Sequence, residues 1–552
     1  MRLTTFGPAV PTAATEPYPA VRGRMASWLA LLTALAGGLA LATASPPAGI
    51  WPLAAVGPAL LIIALWRQRL RVALAVGIVF GLAFFFPLVS WEVNLAWYVW
   101  VALAIGEALI FAVSAIGQWL LLRLRAWPLA VAGWWVAAEA VRDRWPFGGF
   151  PWGRLVMTQA TSPTVRWVAI GGPAFLTFLI ALTGACLAWL ILGPAGSTDE
   201  VPGARQRGLF RHRFRLLAAA AVAASALVAA CGAILPVDAA SAGQRTAVVA
   251  AIQGDVPHAT NLPDLWRATR VTQNHADATR QLAARVQRGA AAAPDLVIWP
   301  ENSSDQDPSL DPSIYDTIAS AVNVIDRPVL VGAVLQDPVR NAGLLWLPGK
   351  GPVADYVKRR LVPFGEVIPF RSLLAKITNL PSSLQPTNFT PGHRAVVFKI
   401  GNIRLGDVIC YEVSFDGLVA SEVNAGANLL TVQTNDADFE IDGQTGETLQ
   451  QLAMARIRAV EFNRAVVVAS TTGVSAIIAP DGSLLVSTGT WQQAEIEARV
   501  PLRTSMTVAD RVGGWPEGVI TWATVAALAW AIGASIRQRR RRDRPDSGVA
   551  AQ

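Results

Sequence analysis

Three residues of this 552-residue chain have the types and the settings to carry out acyl chemistry together. Cys410 closes the apolar, β-prone run Leu405-Gly406-Asp407-Val408-Ile409, and a helix-compatible segment beginning Tyr411-Glu412-Val413-Ser414 follows. A strand that stops at a thiol holds a nucleophile rigidly and turns the next backbone N–H groups toward a forming oxyanion. Taken alone, such a cysteine is as well read as a small buried hydrophobe. Glu301 ends Leu296-Val297-Ile298-Trp299-Pro300, and Lys358 follows Asp355-Tyr356-Val357. Each has an ordinary reading, a solvated turn carboxylate and a surface charge beside Arg359 and Arg360. A carboxylate, an ammonium and a thiol meeting at one end of a sheet would instead supply a base, an electrostatic stabiliser and a nucleophile.

Elements suited to holding them are legible around them. Short β-branched runs recur at 246–253, 295–299, 329–335, 395–400, 403–409, 428–434 and 465–469, with helical stretches at 264–288, 313–324 and 444–462. Strands alternating with helices over this length predict a layered α/β domain with a substantial core. No internal repeat, zinc-ligand spacing or Gly-rich phosphate loop appears, so neither a metal nor a cofactor is expected.

The rest of the chain has a different solvent. Hydrophobic residues make up 53% and charged residues only 15%, which assigns much of the chain to lipid. Apolar runs at 25–44, 48–66, 72–91, 95–122, 127–142, 166–193, 216–236 and 518–536 predict eight membrane spans. Arginines then fill alternate loops: Arg67, Arg69 and Arg71; Arg123 and Arg125; five between 205 and 215; and a cluster from Arg537 to Arg542. By the positive-inside rule these loops and both flanks face the cytoplasm, and the long region after the seventh span lies outside. Arg142, Arg144 and Arg154 on an outer loop are a mild dissent. The net charge of +8 thus reads as topology and lipid-head contact rather than nucleic-acid binding. The expected organisation is a cytoplasmic tail 1–24, seven spans in 25–236, an outer domain 237–515, an eighth span 516–536 and a basic tail 537–552. Two of the three cysteines, Cys186 and Cys231, fall in apolar runs, which excludes a disulfide framework.

The outer loop Trp145-Pro146-Phe147-Gly148-Gly149-Phe150-Pro151-Trp152-Gly153 reads first as an interfacial aromatic belt, with a lipid-facing mouth as the alternative. Glu107 and Glu139 lie within or at the end of spans, where an ionisable group needs a partner or a polar cavity.

Glu, Lys and Cys in this order, with these flanks, resemble the nitrilase, or carbon–nitrogen hydrolase, superfamily. Seven spans before such a domain and one after resemble its membrane-embedded branch, the apolipoprotein N-acyltransferase family. The resemblance rests on Trp299-Pro300-Glu301, on Lys358 with Leu361–Glu366, and on Ile409-Cys410-Tyr411-Glu412. Further matches are the segments 454–461 (Met-Ala-Arg-Ile-Arg-Ala-Val-Glu) and 472–476 (Thr-Gly-Val-Ser-Ala), and Phe150-Pro151-Trp152. It implies an αββα sandwich outside the bacterial cytoplasmic membrane, with Glu301 as general base, Lys358 as stabiliser of the tetrahedral intermediate and Cys410 as nucleophile. It further implies Glu366, Tyr411 and Glu412 as supporting residues, and Trp266, Phe150 and Trp152 on the substrate side. The implied partners are a phospholipid acyl donor, diacylglyceryl apolipoproteins and the bilayer. Where many relatives have Asn-Asp-Ala-Trp-Phe-Gly, this chain has Asn435-Asp436-Ala437-Asp438-Phe439-Glu440, and Gln451 replaces a common His. Neither departure is expected to touch the three central residues. A membrane-tethered amidase would use the same three; a transporter or scaffold would need none of them.

Overall fold

The computed structural model describes residues 24–192, 204–235, 245–257, 264–376, 385–439 and 443–542. The expected tails, apart from Arg24 and residues 537–542, lie outside these residues, as do Glu440 and the side chains of the arginines between 205 and 215.

The first half is helical: α1 (Ser27–Ala44), α2 (Leu53–Leu65), α3 (Leu70–Leu88), α4 (Trp97–Leu121), α5 (Trp127–Arg142), α6 (Val168–Leu192) and α7 (Ala204–Cys231). A long helix, Trp515–Arg542, returns to this bundle and packs on α4, α5 and α6. Among the described residues, six helices are long and apolar enough to cross a membrane. The expected second and fifth spans are shorter, 13 residues in α2 and 16 in α5. At 1.5 Å per residue α2 reaches only about 20 Å, against a hydrocarbon core of about 30 Å. Apolarity reports burial and lipid contact alike, and much of α2 is buried against α1 and α6.

The second half carries two six-stranded sheets. One runs β12-β1-β2-β3-β4-β5, built from Thr246–Gln253 (β1), Leu296–Ile298 (β2), Val329–Leu335 (β3), Arg340–Leu347 (β4), Gly351–Val357 (β5) and Ala494–Pro501 (β12). The other runs β11-β10-β9-β8-β7-β6, built from Val397–Ile400 (β6), Ile403–Ile409 (β7), Leu429–Thr434 (β8), Val466–Ser470 (β9), Ala476–Ile478 (β10) and Leu484–Ser487 (β11). β1, β2 and β3 pair in parallel, as do β7, β8 and β9. Two antiparallel steps bring β5 back to the direction of β3. The segments leaving β2 and β5 therefore emerge at the same edge of the first sheet.

Alternation along the strands builds the layers. Val249, Ala251, Leu296 and Ile298 meet Leu405, Ile409, Leu429 and Val467 between the sheets. Ala250, Ile252, Val297 and Trp299 point the other way, onto α8 (Asp264–Gln287) and α9 (Pro312–Ile325). Val408, Leu430, Val432, Val466 and Val468 point outward from the second sheet, toward α10 (Asp416–Asn424) and α11 (Gly446–Phe462). The result is an αββα sandwich. Its last layer is shared, because the apolar cluster around α11 continues unbroken into the bundle. Of the 17 residues of α11, 14 are buried.

Polar contacts lock that shared layer. Gln450 accepts from the indoles of Trp91 and Trp152 and donates to the carbonyls of Pro46 and Leu88. Arg154 lies 2.7 Å from Asp416 and 3.2 Å from Asp143. Arg458 pairs with Asp416 and Glu461 and donates to the Val413 and Ser414 carbonyls. Arg142 pairs with Glu107, and Glu139 accepts from Trp135, Thr177 and the Leu155 N–H. Arg144 reaches Glu517 at 2.6 Å. The arginines that dissented from the charge rule are thus ion-paired, and Arg142 and Arg154 are buried. Their charges are structural rather than topological.

Burial alone would raise the Asp416 carboxyl, but Arg154 and Arg458 outweigh it and hold it down to about 2. Its contribution is complete above the ordinary aspartate value and is lost as pH falls toward 2. Asp416→Ala should cost about 2 kcal/mol, below the range for a fully buried pair, since the Asp416 carboxylate is half-buried and Asp143 and Glu461 remain. A lower unfolding midpoint in detergent and faster amide exchange over 410–416 are expected; an unchanged midpoint would deny the contact that role.

Candidate active site

Glu301 follows β2 through Trp299-Pro300, a turn that lies directly on β3. A β-carbon at Gly332 would come within 2.1 Å of the Pro300 carbonyl and 2.8 Å of Glu301 Cα, so only glycine permits this approach. Ser303 and Ser304 both donate to the Gly332 carbonyl and close the turn. Lys358 follows β5, its N–H donating to the Asn341 carbonyl on β4. Cys410 follows β7 with φ +53°, a left-handed conformation that costs a β-carbon-bearing residue energy and is held by its surroundings.

The three side chains converge. Lys358 Nζ lies 2.9 Å from Glu301 Oε1 and 2.9 Å from Glu366 Oε1. Asn341 Nδ2 donates to the same two oxygens, at 2.6 and 2.9 Å. The other Glu301 oxygen accepts from the Asn435 N–H, and the other Glu366 oxygen from the Val362 N–H. Lys358 is 1% exposed. Burial opposes its charge, but Glu301, Glu366 and Cys410 outweigh it and hold the ammonium well above the usual lysine range. Burial raises Glu301 against the pull of Lys358. Burial likewise pushes the Cys410 thiol well up; Glu301 and Glu447 add to this, while Lys358 and the Thr434 hydroxyl oppose it. These effects favour the protonated thiol over the thiolate.

Glu412 is the bracket between the segment bearing Cys410 and the one bearing Lys358. One oxygen accepts from Tyr356 Oη and the Ile409 N–H at 2.8 Å each; the other accepts from the N–H groups of Arg359 (2.6 Å) and Arg360 (2.9 Å). Tyr411 turns the opposite way and donates to the Gly149 carbonyl at 2.8 Å. Its ring lies near-parallel to Trp152, at 6.4 Å and 16°, and Phe150 completes the group. The outer loop thus divides. Trp145 and Phe147 are exposed, as a belt requires, whereas Trp152 is 3% exposed and built into the mount of the nucleophile turn. Trp266, at the start of α8, is 51% exposed and is not brought against the central three. A polar cavity of about 300 Å³ adjoins Glu301, lined by Arg267, Asn302, Asp305, Asn435, Asp438 and Thr471 among others.

Two features differ from expectation. Gln451 Nε2 donates to Cys410 Sγ at 3.6 Å, so one of the two departures does touch one of the three central residues. Asn341, Gln450 and Glu447 were missed, since none belongs to a readable motif and each acts across elements distant in sequence.

Paired sheets with a Glu–Lys–Glu cluster and a thiol at their strand ends define a carbon–nitrogen hydrolase fold, and residues 245–509 match the family model described as Carbon-nitrogen hydrolase. Residues 37–186 match the model of the Apolipoprotein N-acyltransferase N-terminal domain. The Apolipoprotein N-acyltransferase of Mycolicibacterium smegmatis is 36% identical, covering 93% of this chain and 90% of that protein. That of Azotobacter vinelandii is 29% identical, covering 95% and 98%. Among solved structures, an amidase from Nesterenkonia sp. aligns with 48% of this chain and 93% of its own at 16% identity, with a TM-score of 0.35. The chain belongs to the apolipoprotein N-acyltransferase family.

Glu412→Gln would place an amide nitrogen against two of the four donors. Two buried N–H groups or hydroxyls losing their acceptor should cost roughly 2–4 kcal/mol. The expected signature is a lower unfolding midpoint with faster amide exchange at 359–360 or at 409; parent-like exchange at all three positions would exclude the bracket.

Proposed function

We propose that this chain transfers a fatty acyl group from a membrane phospholipid, through a thioester on Cys410, to the free α-amine of the S-diacylglyceryl N-terminal cysteine of apolipoproteins. The observation that carries this reading is the mounting of the nucleophile. The turn bearing Cys410 rests through Tyr411 on the Gly149 carbonyl and on Trp152, beside a bundle of apolar helices. Both proposed substrates are anchored by acyl chains, and each CH₂ drawn into water costs about 0.8 kcal/mol. A sulfur fixed beside the bundle spares most of that cost, whereas an amidase for small soluble substrates would gain nothing from it.

In the first half-reaction Glu301 takes the thiol proton as sulfur bonds to the ester carbonyl. Lys358, with the Tyr411 N–H as a second donor, stabilises the oxyanion. The C–O bond then breaks and the lysophospholipid leaves with the proton from Glu301. In the second, the amine bonds to the thioester carbon and loses a proton to Glu301, and the C–S bond breaks to return the thiol. Glu366 and Asn341 hold Lys358 and Glu301 in register throughout.

In this reading α2 and α5 complete an eight-span bundle in the bacterial cytoplasmic membrane. The basic loops and both flanks are cytoplasmic, and 237–515 form the catalytic domain on the outer side. Phe150, Trp152 and Trp266 lie toward the lipid and acceptor path, and no nucleic acid is involved.

Intact-mass measurement on protein taken from membranes should show one added fatty acyl group located on Cys410, released by hydroxylamine and absent from Cys410→Ala. An acylated Cys410→Ala protein would remove Cys410 as nucleophile. Glu301→Gln should fold and fail to acylate. Lys358→Ala should slow acylation by roughly 10²–10³-fold. Turnover of simple amides in preference to phospholipid and a diacylglyceryl peptide would favour the amidase instead.

A further inference from the structure

The acid–base residues above leave two neutral contacts to the sulfur unused, from the Thr434 hydroxyl and from Gln451. Gln451, on the face of α11 turned toward the Cys410–Ser414 turn, is buried at 2% exposure, and its Nε2 donates to Cys410 Sγ at 3.6 Å and to Glu447 Oε1 at 3.2 Å. Two acceptors on one amide group settle which way the amide faces. Its carbonyl turned to this side would confront a carboxylate oxygen and the sulfur together, so Glu447 keeps the NH₂ directed at Sγ. The helix cannot easily shift, because the preceding residue, Gln450, is held by four hydrogen bonds to the bundle.

We infer that Gln451 is a further catalytic residue, a neutral N–H donor that stabilises negative charge on Cys410 sulfur when the thiol is deprotonated and again when the thiolate is expelled. This rests on Cys410 being the nucleophile. The groups facing the sulfur are Glu301 after β2, Lys358 after β5 and Glu447 on α11. Two are carboxylates, so a thiolate here meets more negative than positive charge, and a neutral donor adds stabilisation without displacing Lys358 from its two carboxylates. As the proton passes to Glu301, charge builds on sulfur and the contact changes from a weak neutral one to a charge-assisted one. When C–S bond formation moves that charge to the carbonyl oxygen, the contact weakens again. It recovers as the amine displaces sulfur and the proton returns from Glu301. Gln451 thus favours the two moments at which sulfur bears charge, and it adds no ionisation of its own.

The test uses the full chain in detergent and the pH dependence of Cys410 alkylation by iodoacetamide, quantified at that residue by peptide mass spectrometry. Transfer to a diacylglyceryl peptide is followed in the same samples. Gln451→Met keeps shape and removes the donor; Gln451→His restores an N–H. Loss of a hydrogen bond to a charged group predicts roughly 10-fold slower alkylation of the methionine variant at pH 8, with its profile displaced upward by about one unit. The histidine variant should recover most of the rate and show a second ionisation. A folded methionine variant with the parent's profile and turnover would overturn the inference, as would a folded histidine variant no faster than the methionine one. Should the methionine variant fail to fold, the histidine variant alone decides, since a parent-like single ionisation in it would deny any contact with the sulfur. Failure of the function reading looks different: Cys410 would alkylate fully while transfer continued.

Discussion

A single ammonium between two carboxylates organises the catalytic half of this protein. Lys358 lies 2.9 Å from both Glu301 and Glu366 with almost no access to water. Removing that charge from water costs several kcal/mol, and two anions in hydrogen-bond contact are what offset it. Each anion is in turn tied to a different strand or loop by Asn341, Asn435 and Val362. Losing Lys358 would leave two carboxylates facing each other out of water, so the cluster depends on that one cation. Burial, with Glu301 and Glu447 adding to it, pushes the neighbouring thiol up and favours its protonated form. Electrostatics that would be a poor way to gain stability are here a way to set the state of a sulfur.

Topology explains why such distant residues meet. Parallel pairing of β1, β2 and β3, and of β7, β8 and β9, sends the segments after them to the sheet ends, and the double reversal through β4 returns β5 to the same end. Glu412 then joins the two sheets directly, accepting from the strand that precedes the cysteine and from the loop that follows the lysine.

Much of this was legible in the residues themselves. Trp299-Pro300-Glu301, Lys358 and the Ile409-Cys410 junction stood out because strand-like runs stop abruptly at chemically capable side chains. β1, β3 and β7 could be read to the residue, being apolar and β-branched. β5 and β12 could not, because Gly351–Val357 has four consecutive exposed residues, Ala494–Pro501 is mostly half-buried, and the two carry Pro, Asp and Glu in place of an apolar run. Charge counting mistook Arg142 and Arg154 for topology signals, since a formula for loops cannot see an ion pair. Hydropathy marked the apolar run around α2 but not its length as a helix, which is 13 residues packed among others. Gln451 looked like a harmless substitution because its importance lies in the contact α11 makes with β7, which no local pattern encodes.

The shared layer at α11 has a practical corollary. Its buried residues serve the second sheet on one side and the helical bundle on the other, within one continuous apolar cluster. Excising the sandwich by cutting at its chain limits would strip that helix of its packing on the bundle side and leave a greasy flank, with Gln450 deprived of its four partners. Such a fragment would be a recipe for aggregation rather than a soluble enzyme. Crystallisation, screening and engineering of this fold therefore start from detergent or nanodisc, with the anchor kept whole.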